Sequence, residues 1–199
     1  MNRRELLALT PAALMITACG SDTPVKEAAK PAEPITGLRA LYQAYGMARQ
    51  WAPDVSILHV SSMDIAQVKP QPGKTGAWQV VFASQAKGQK RAYVDCVFDV
   101  SPTLRKGVFA DAANQWADDH RSFVIAAAKI DTDAALEVAM KHGGEYAKKN
   151  PTMPISYYLE MGRNINLPVW RVIWGESVGS SVFSVLVEAT TGTFLSTLS

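Results

Sequence analysis

The chain has 199 residues, of which 48% are hydrophobic, enough for one or two modest domains with a packed core. Its 20 basic and 18 acidic residues are interspersed and leave a formal net charge of +2 at pH 7. The sequence lacks the basic stripe of a nucleic-acid-binding protein, so we expect no nucleic-acid partner.

The first residues have the pattern of a bacterial export signal. Two arginines precede an apolar stretch, Leu6 to Ala18, that is too short for a permanent transmembrane helix. Residues 16–19, ITAC, resemble the lipobox of bacterial lipoproteins, whose cysteine is diacylated and becomes the first residue of the mature chain. This resemblance implies a signal peptide over residues 1–18 and a lipid anchor on Cys19. An ordinary signal peptide with an incidental cysteine is the alternative.

Residues 19–36 are predicted to form the lipidated cysteine and a disordered tether, because they are rich in Pro, Ala, Lys and Glu and contain no aromatic residue. Gly20, rather than Asp, follows the cysteine, which in lipoproteins favours sorting to the outer membrane. We therefore expect attachment to the cell envelope through Cys19, at the outer membrane and facing the periplasm. Cys96 is then the remaining thiol, and its apolar neighbours on one strand face predict a buried, unreactive side chain.

The rest of the chain contains an internal similarity, in which WQVVFAS at Trp78 aligns with WRVIWGE at Trp170. A helix after Thr36 and a helix after Asp131 are predicted by apolar residues at helical spacing. Four strands are expected after each helix: 56–65, 77–84, 91–100 and 107–110, then 155–161, 168–175, 181–189 and 193–197.

Between these two units, residues 111–130 carry Trp116, His120, Phe123, Val124 and Ala127 at helical spacing, which predicts an amphipathic connector helix. The predicted fold class is therefore α+β. It consists of two repeats, residues 37–110 and 131–199, each with one helix packed on a small antiparallel β-sheet, joined by the connector helix.

The repeats resemble PepSY-type domains. The resemblance rests on VWRV (169–172), on VLVEATTGTFL (185–195) and on the opening helix KIDTDAALEVAMKHGG (129–144). The first copy departs from the pattern at PTLRK (102–106), so its membership is inferred through the repeat. The resemblance implies a role in binding and restraining peptidases.

Trp78, Trp170 and Trp174 are candidates for a binding surface, together with Arg171. In a strand, Trp170 and Trp174 share one face while Arg171 points to the other. An exposed aromatic surface would suit an extended peptide or a sugar ring. The alternative is that the same aromatics fill the space between sheet and helix.

No motif predicts catalysis, a cofactor or a metal site. The histidines His59, His120 and His142 lack partners at metal-ligand spacing, and no nucleophile is paired with a base. We expect a non-enzymatic envelope lipoprotein that binds a protein or peptide partner, with modulation of a peptidase as one form of this role. A structural component of the envelope is the alternative, and a small hydrolase is the least favoured.

Overall fold

The computed structural model describes residues 32–117 and 121–199. The signal peptide, the lipidation site Cys19, the tether up to residue 31 and His120 lie outside the described residues. The helices are α1 (Gly37–Trp51) and α2 (Thr132–Lys149), and a short 3-10 turn spans Ile125–Ala127. The strands, in chain order, are β1 (Ile35–Thr36), β2 (Ser56–Met63), β3 (Lys74–Thr75), β4 (Ala77–Ser84), β5 (Gln89–Cys96), β6 (Gly107–Ala110), β7 (Asn114–Gln115), β8 (Ile155–Met161), β9 (Pro168–Trp174), β10 (Phe183–Glu188) and β11 (Phe194–Leu198).

One antiparallel sheet of nine strands organises the described chain, in the order β11-β10-β9-β8-β2-β4-β5-β6, with β7 also paired to β5. The join lies between β2 and β8, where His59 pairs with Glu160 and Ser61 with Tyr158. The predicted fold class, two repeats of one helix packed on a small antiparallel sheet, is therefore wrong. The strands of both predicted units belong to a single continuous sheet. A small separate ladder pairs β1 with β3.

The predicted connector helix is also wrong. In its place, β7 pairs with β5, and Phe123 forms an antiparallel bridge with Ile57 through N–H···O bonds of 2.8 and 2.9 Å. Trp116 packs against Leu58 on one side of the sheet, whereas Phe123 belongs to the core on the other side. The apolar residues of this segment therefore contact opposite faces of the sheet and do not form one helical stripe.

Both helices cover the same face of the sheet. α1 contacts β2, β4, β5 and β6, and α2 contacts β9, β10 and β11. The main core lies between helices and sheet and includes Leu41, Val60, Leu159 and Val187. The side chains of alternate strand residues point to this core, and the others point to the face that the helices leave uncovered.

The amino termini of the two helices meet. Thr36 occupies the N-cap position of α1, but its side chain makes no capping hydrogen bond. The caps come instead from the start of α2: Leu38 N donates to Asp131 Oδ1 at 2.9 Å, and Gly37 N donates to Thr132 Oγ1 at 3.0 Å. Because Asp131 Oδ1 also accepts from Thr132 N at 2.7 Å, one carboxylate caps both helices.

Candidate functional site

The three tryptophans of the predicted binding surface lie in the core beneath the helices. Trp78 and Trp170 are fully buried, and Trp174 is 1% exposed. Trp78 donates its indole N–H to the Ile35 carbonyl at 2.9 Å, and Trp170 donates to the Ile130 carbonyl at 2.7 Å. These side chains therefore fill the space between helices and sheet and do not form an exposed aromatic surface.

Arg171, the fourth residue of the predicted surface, faces the uncovered side of the sheet. Its side chain is half-buried, and its Nε donates to Ser184 Oγ at 2.9 Å. Ser184 itself is fully buried, so this bond fixes the guanidinium above β10. Within the described ranges this is the one hydrogen bond that Arg171 makes through its side chain, and its other N–H donors remain available.

A groove of about 570 Å³ lies on the uncovered face and includes Arg171 in its lining. This volume falls in the usual range of ligand-binding clefts. The apolar lining comes from β9, β10 and β11 and from the loop that follows β8: Ile165, Val169, Leu186, Leu195 and Leu198. The polar lining consists of Glu160, Arg163, Asn164, Arg171 and Ser196, with Gly162 completing the wall.

The loop 162–167 forms one wall of this groove and is held at two points. Arg121 donates through its guanidinium to the carbonyl oxygens of Gly162 and Ile165, the latter at 3.0 Å. Close packing leaves no room for a side chain at Gly162, because a Cβ there would lie 2.5 Å from Ile165 Cγ1 and 3.0 Å from Val169 Cγ2. The groove therefore has a fixed wall against an apolar floor.

The charged residues Glu160 and Arg171 lie on neighbouring strands of the groove. Glu160 belongs to β8 and Arg171 to β9, and the register that pairs Tyr158 with Arg171 makes the two charged residues diagonal neighbours on the uncovered face. The hydrogen bond to Ser184 directs the Arg171 guanidinium to the other side, over β10. Burial, with the added negative charge of Glu160, raises the pKa of Tyr158 to about 12. Since two arginines and one glutamate line the groove, its lining carries a net positive charge.

The groove ends at β11, which is the last strand of the sheet and pairs with β10 alone among the described residues. Residues 189–199, ATTGTFLSTLS, contain no charged residue and no proline. The opposite edge is different, because it is divided between the four-residue β6 and the two-residue β7. Arg105, Lys106 and Asp111 flank β6, and Arg91 Nε donates to the Asp111 carbonyl at 2.7 Å. One edge is thus interrupted and flanked by charges, whereas the β11 edge has no charge and no proline and is irregular only where its register with β10 shifts, between Leu186 and Val187.

A second groove of about 760 Å³ lies between α2 and Pro70–Pro72. Residues 32–117 and 121–199 contain no group of three or more His, Cys, Asp or Glu side chains that could hold a metal ion. Within the same ranges, no helix is long and apolar enough to span a membrane. Cys96 is buried, as predicted, with 1% of its surface exposed, and its thiol donates to the Phe98 carbonyl.

Sequence reasoning named Arg171 but missed the rest of the groove. Leu186 and Leu198 face the groove because their strands pair in a register that brings Leu186 opposite Arg171 and Leu198 opposite Ser184. Such cross-strand positions follow from pairing and cannot be found from a local pattern. The uncharged run over residues 189–199 is the one signal in the sequence that points to this edge.

Comparisons with known proteins add a distant structural likeness. No family model matches the chain, so the resemblance to PepSY-type domains stays a prediction. The comparison with curated proteins gave no significant match. Among solved structures, a chain from Clostridium difficile 630 with a provisional lipoprotein assignment is similar, with a TM-score of 0.47 and 12% identity. The similarity covers 84% of this chain and 96% of that one. Because the TM-score and the sequence identity are low, it supports no argument about function.

Proposed function

We propose that this protein is a non-enzymatic lipoprotein of the bacterial cell envelope that binds an extended segment of a partner protein along β11. The observation that carries this proposal is the open, uncharged edge of β11 beside a groove. An edge strand presents unpaired backbone N–H and C=O groups, and an extended segment can pair with them as an additional strand.

The contrast between the two edges of the sheet supports this choice. Proteins usually protect an edge with charges, proline or very short strands, because an open edge promotes association. The β6 and β7 edge has such protection, whereas β11 has neither charge nor proline. A partner strand on β11 accounts for the absence of protection at this edge.

The groove supplies side-chain contacts next to that backbone pairing. Ser196 and Leu198 belong to both β11 and the groove lining. Side chains of an added strand alternate between the two faces, so every second one would lie on the face that carries the groove. The backbone would thus provide affinity and the groove specificity.

The anchor follows from the first residues of the sequence. The lipobox-like ITAC at 16–19 would place acyl chains on Cys19, and more than one chain gives stable attachment. Ala32, which packs beside the buried Ile65 and Val68, lies thirteen positions after Cys19. A fully extended tether of this length spans about 45 Å. We place the protein at the outer membrane, facing the periplasm, within this distance of the bilayer.

Modulation of a peptidase is one form of this function. An added strand could come from a peptidase or from another envelope protein, and both use the same backbone pairing. An inhibition assay with the captured partner separates the two cases. If the partner is a peptidase, its activity falls when the protein is added; an envelope component without inhibition instead favours the structural alternative.

Photocrosslinking in cells tests the proposed edge. A photoreactive amino acid at Thr197, which is exposed on β11, should capture a partner, whereas the same amino acid at the exposed Asn114 of β7 should not. Thr197→Lys, a charge placed on the edge, should abolish complex formation while Asn114→Lys leaves it unchanged. Equal capture at both positions would contradict the proposal.

Membrane fractionation tests the anchor separately. Cys19→Ala should move the protein from the membrane fraction to the soluble fraction, with Cys96→Ala as the control. Unchanged partitioning of the Cys19→Ala variant into the membrane or detergent phase would contradict a lipid anchor on this residue.

A further inference from the structure

We propose that Arg171 binds an acidic side chain of the segment that adds to β11, so that this site selects an extended segment with a glutamate among apolar residues. This inference rests on the proposed function and specifies its ligand. Ser184 fixes the guanidinium, the groove surrounds it, and no acidic side chain of the described residues forms an ion pair with it.

The position of the guanidinium suits a side chain that arrives from the edge. Arg171 belongs to β9, but its hydrogen bond to Ser184 Oγ at 2.9 Å directs it over β10. Ser184 pairs with Leu198 of β11, so an added strand would lie two strand spacings from Ser184, about 9.6 Å. A glutamate on the added strand that extends across Leu198 would direct its carboxylate toward the guanidinium over this gap.

The charge of the groove favours a carboxylate at this end. Arginine forms bidentate, charge-assisted hydrogen bonds with carboxylates, and such bonds are about twice as strong as neutral ones. Glu160, the acid of the lining, is a diagonal neighbour of Arg171 on β8, whereas the guanidinium bonds away from it, toward β10; Arg163 adds a second cation on the loop. The apolar Leu186 and Leu198 provide contacts for the carbon chain of the glutamate and for its neighbours.

A second copy of this chain does not fit the same site. If two β11 strands paired edge to edge, each would present residues 189–199 of the other, and these contain no acidic residue. Arg171 would then remain without an acid. The charge pattern therefore indicates a segment from a different protein.

Defined probe peptides test the inference without a known partner. A labelled peptide of about nine residues, with alternating valine and threonine around a central glutamate, has the length of a strand. Its sibling carries glutamine in place of the glutamate and is otherwise identical. By fluorescence anisotropy, the glutamate peptide should bind about tenfold more tightly, as expected for a charged hydrogen bond in a half-buried site. The difference should decrease at high salt.

Protein variants then assign the difference to Arg171. In Arg171→Gln the two peptides should bind within about twofold of each other, at the affinity of the glutamine peptide for the unchanged protein. Arg49→Gln, on the exposed surface of α1, is the matched control and should keep the preference. Thermal unfolding of each variant reports whether the fold is retained, and the peptide substitution tests the inference even if Arg171→Gln unfolds.

The outcomes separate this inference from the proposed function. If both peptides bind equally well to the unchanged protein, and Thr197→Lys prevents this binding, the edge is confirmed and the acidic preference is overturned. If neither peptide binds and Thr197 captures no partner in cells, both proposals are overturned. A dimer that Thr197→Lys dissociates would overturn the assignment of the site to a different protein.

Discussion

Replacing Gly37 with alanine tests the packing of the two central tryptophans. Gly37 is the first residue of α1 and lies where the rings of Trp78 and Trp170 meet, with their centroids 6.4 Å apart. A Cβ at this position would lie 2.7 Å from Trp170 Cη2, 2.8 Å from Thr132 Cγ2 and 3.1 Å from Trp78 Cη2. Since these three side chains are buried, none can move away without disturbing the core.

The expected cost follows from these contacts. Adding a methyl group to a well-packed core costs about 1–3 kcal/mol. Alanine gains up to about 1 kcal/mol over glycine inside a helix, and less at the first position. The free energy of unfolding of Gly37→Ala should therefore decrease by about 1–2 kcal/mol.

The same helix offers a control of opposite sign. Gly46 lies within α1 and is exposed, and a methyl group added there would have no neighbouring atom within 4 Å beyond its own helix turn. Gly46→Ala should raise the free energy of unfolding by about 0.5–1 kcal/mol, because alanine lowers the entropy of the unfolded chain. Urea unfolding followed by tryptophan fluorescence measures both variants. If Gly37→Ala were as stable as Gly46→Ala, the rings would not meet at Gly37 and the packing described above would be refuted.

Two further predictions concern the carboxyl groups of Asp131 and Asp95. Asp131→Ala should lower the free energy of unfolding in urea by about 2 kcal/mol, because it removes a cap from both helices. The control is Asp133→Ala, whose exposed carboxylate bonds only Ala134 N and which should cost less than half as much. Equal costs for the two variants would contradict the shared cap. Asp95 is 4% exposed, and its burial, opposed in part by the charge of Arg39, raises its pKa to about 6. The folded state therefore binds this proton more tightly than the unfolded state, so the stability contributed at Asp95 should be present at pH 4 and lost as pH rises to about 6. Asp95→Asn should match the unchanged protein at pH 4 and exceed its free energy of unfolding at pH 8 by on the order of 2 kcal/mol; a constant difference across pH would show that Asp95 does not titrate in this way.

The individual strands could be predicted from sequence because their patterns are local. β4, β6 and β8 have the predicted bounds, Ala77–Ser84, Gly107–Ala110 and Ile155–Met161. Alternating or continuous apolar residues indicate such strands without any knowledge of their neighbours.

The arrangement of the strands depends on contacts that no local pattern specifies. The pairing of His59 with Glu160 joins residues about a hundred positions apart, and it unites the strands of the two predicted repeats in one sheet. The helical spacing around Trp116 and Phe123 was misleading for the same reason, since these side chains pack on opposite faces of that sheet. Prediction of the candidate site was limited in the same way. Arg171 could be identified from its position on a strand face, whereas its bond to Ser184 and the edge position of β11 follow from the assembled sheet.

Hydrogen–deuterium exchange of β11 in complex with the captured partner tests the central claim most directly. If a partner segment adds to this edge, the amides of residues 196–198 should exchange more slowly in the complex, while those of residues 107–110, on the opposite edge, should not change. Slower exchange at residues 107–110 with β11 unchanged would contradict the account.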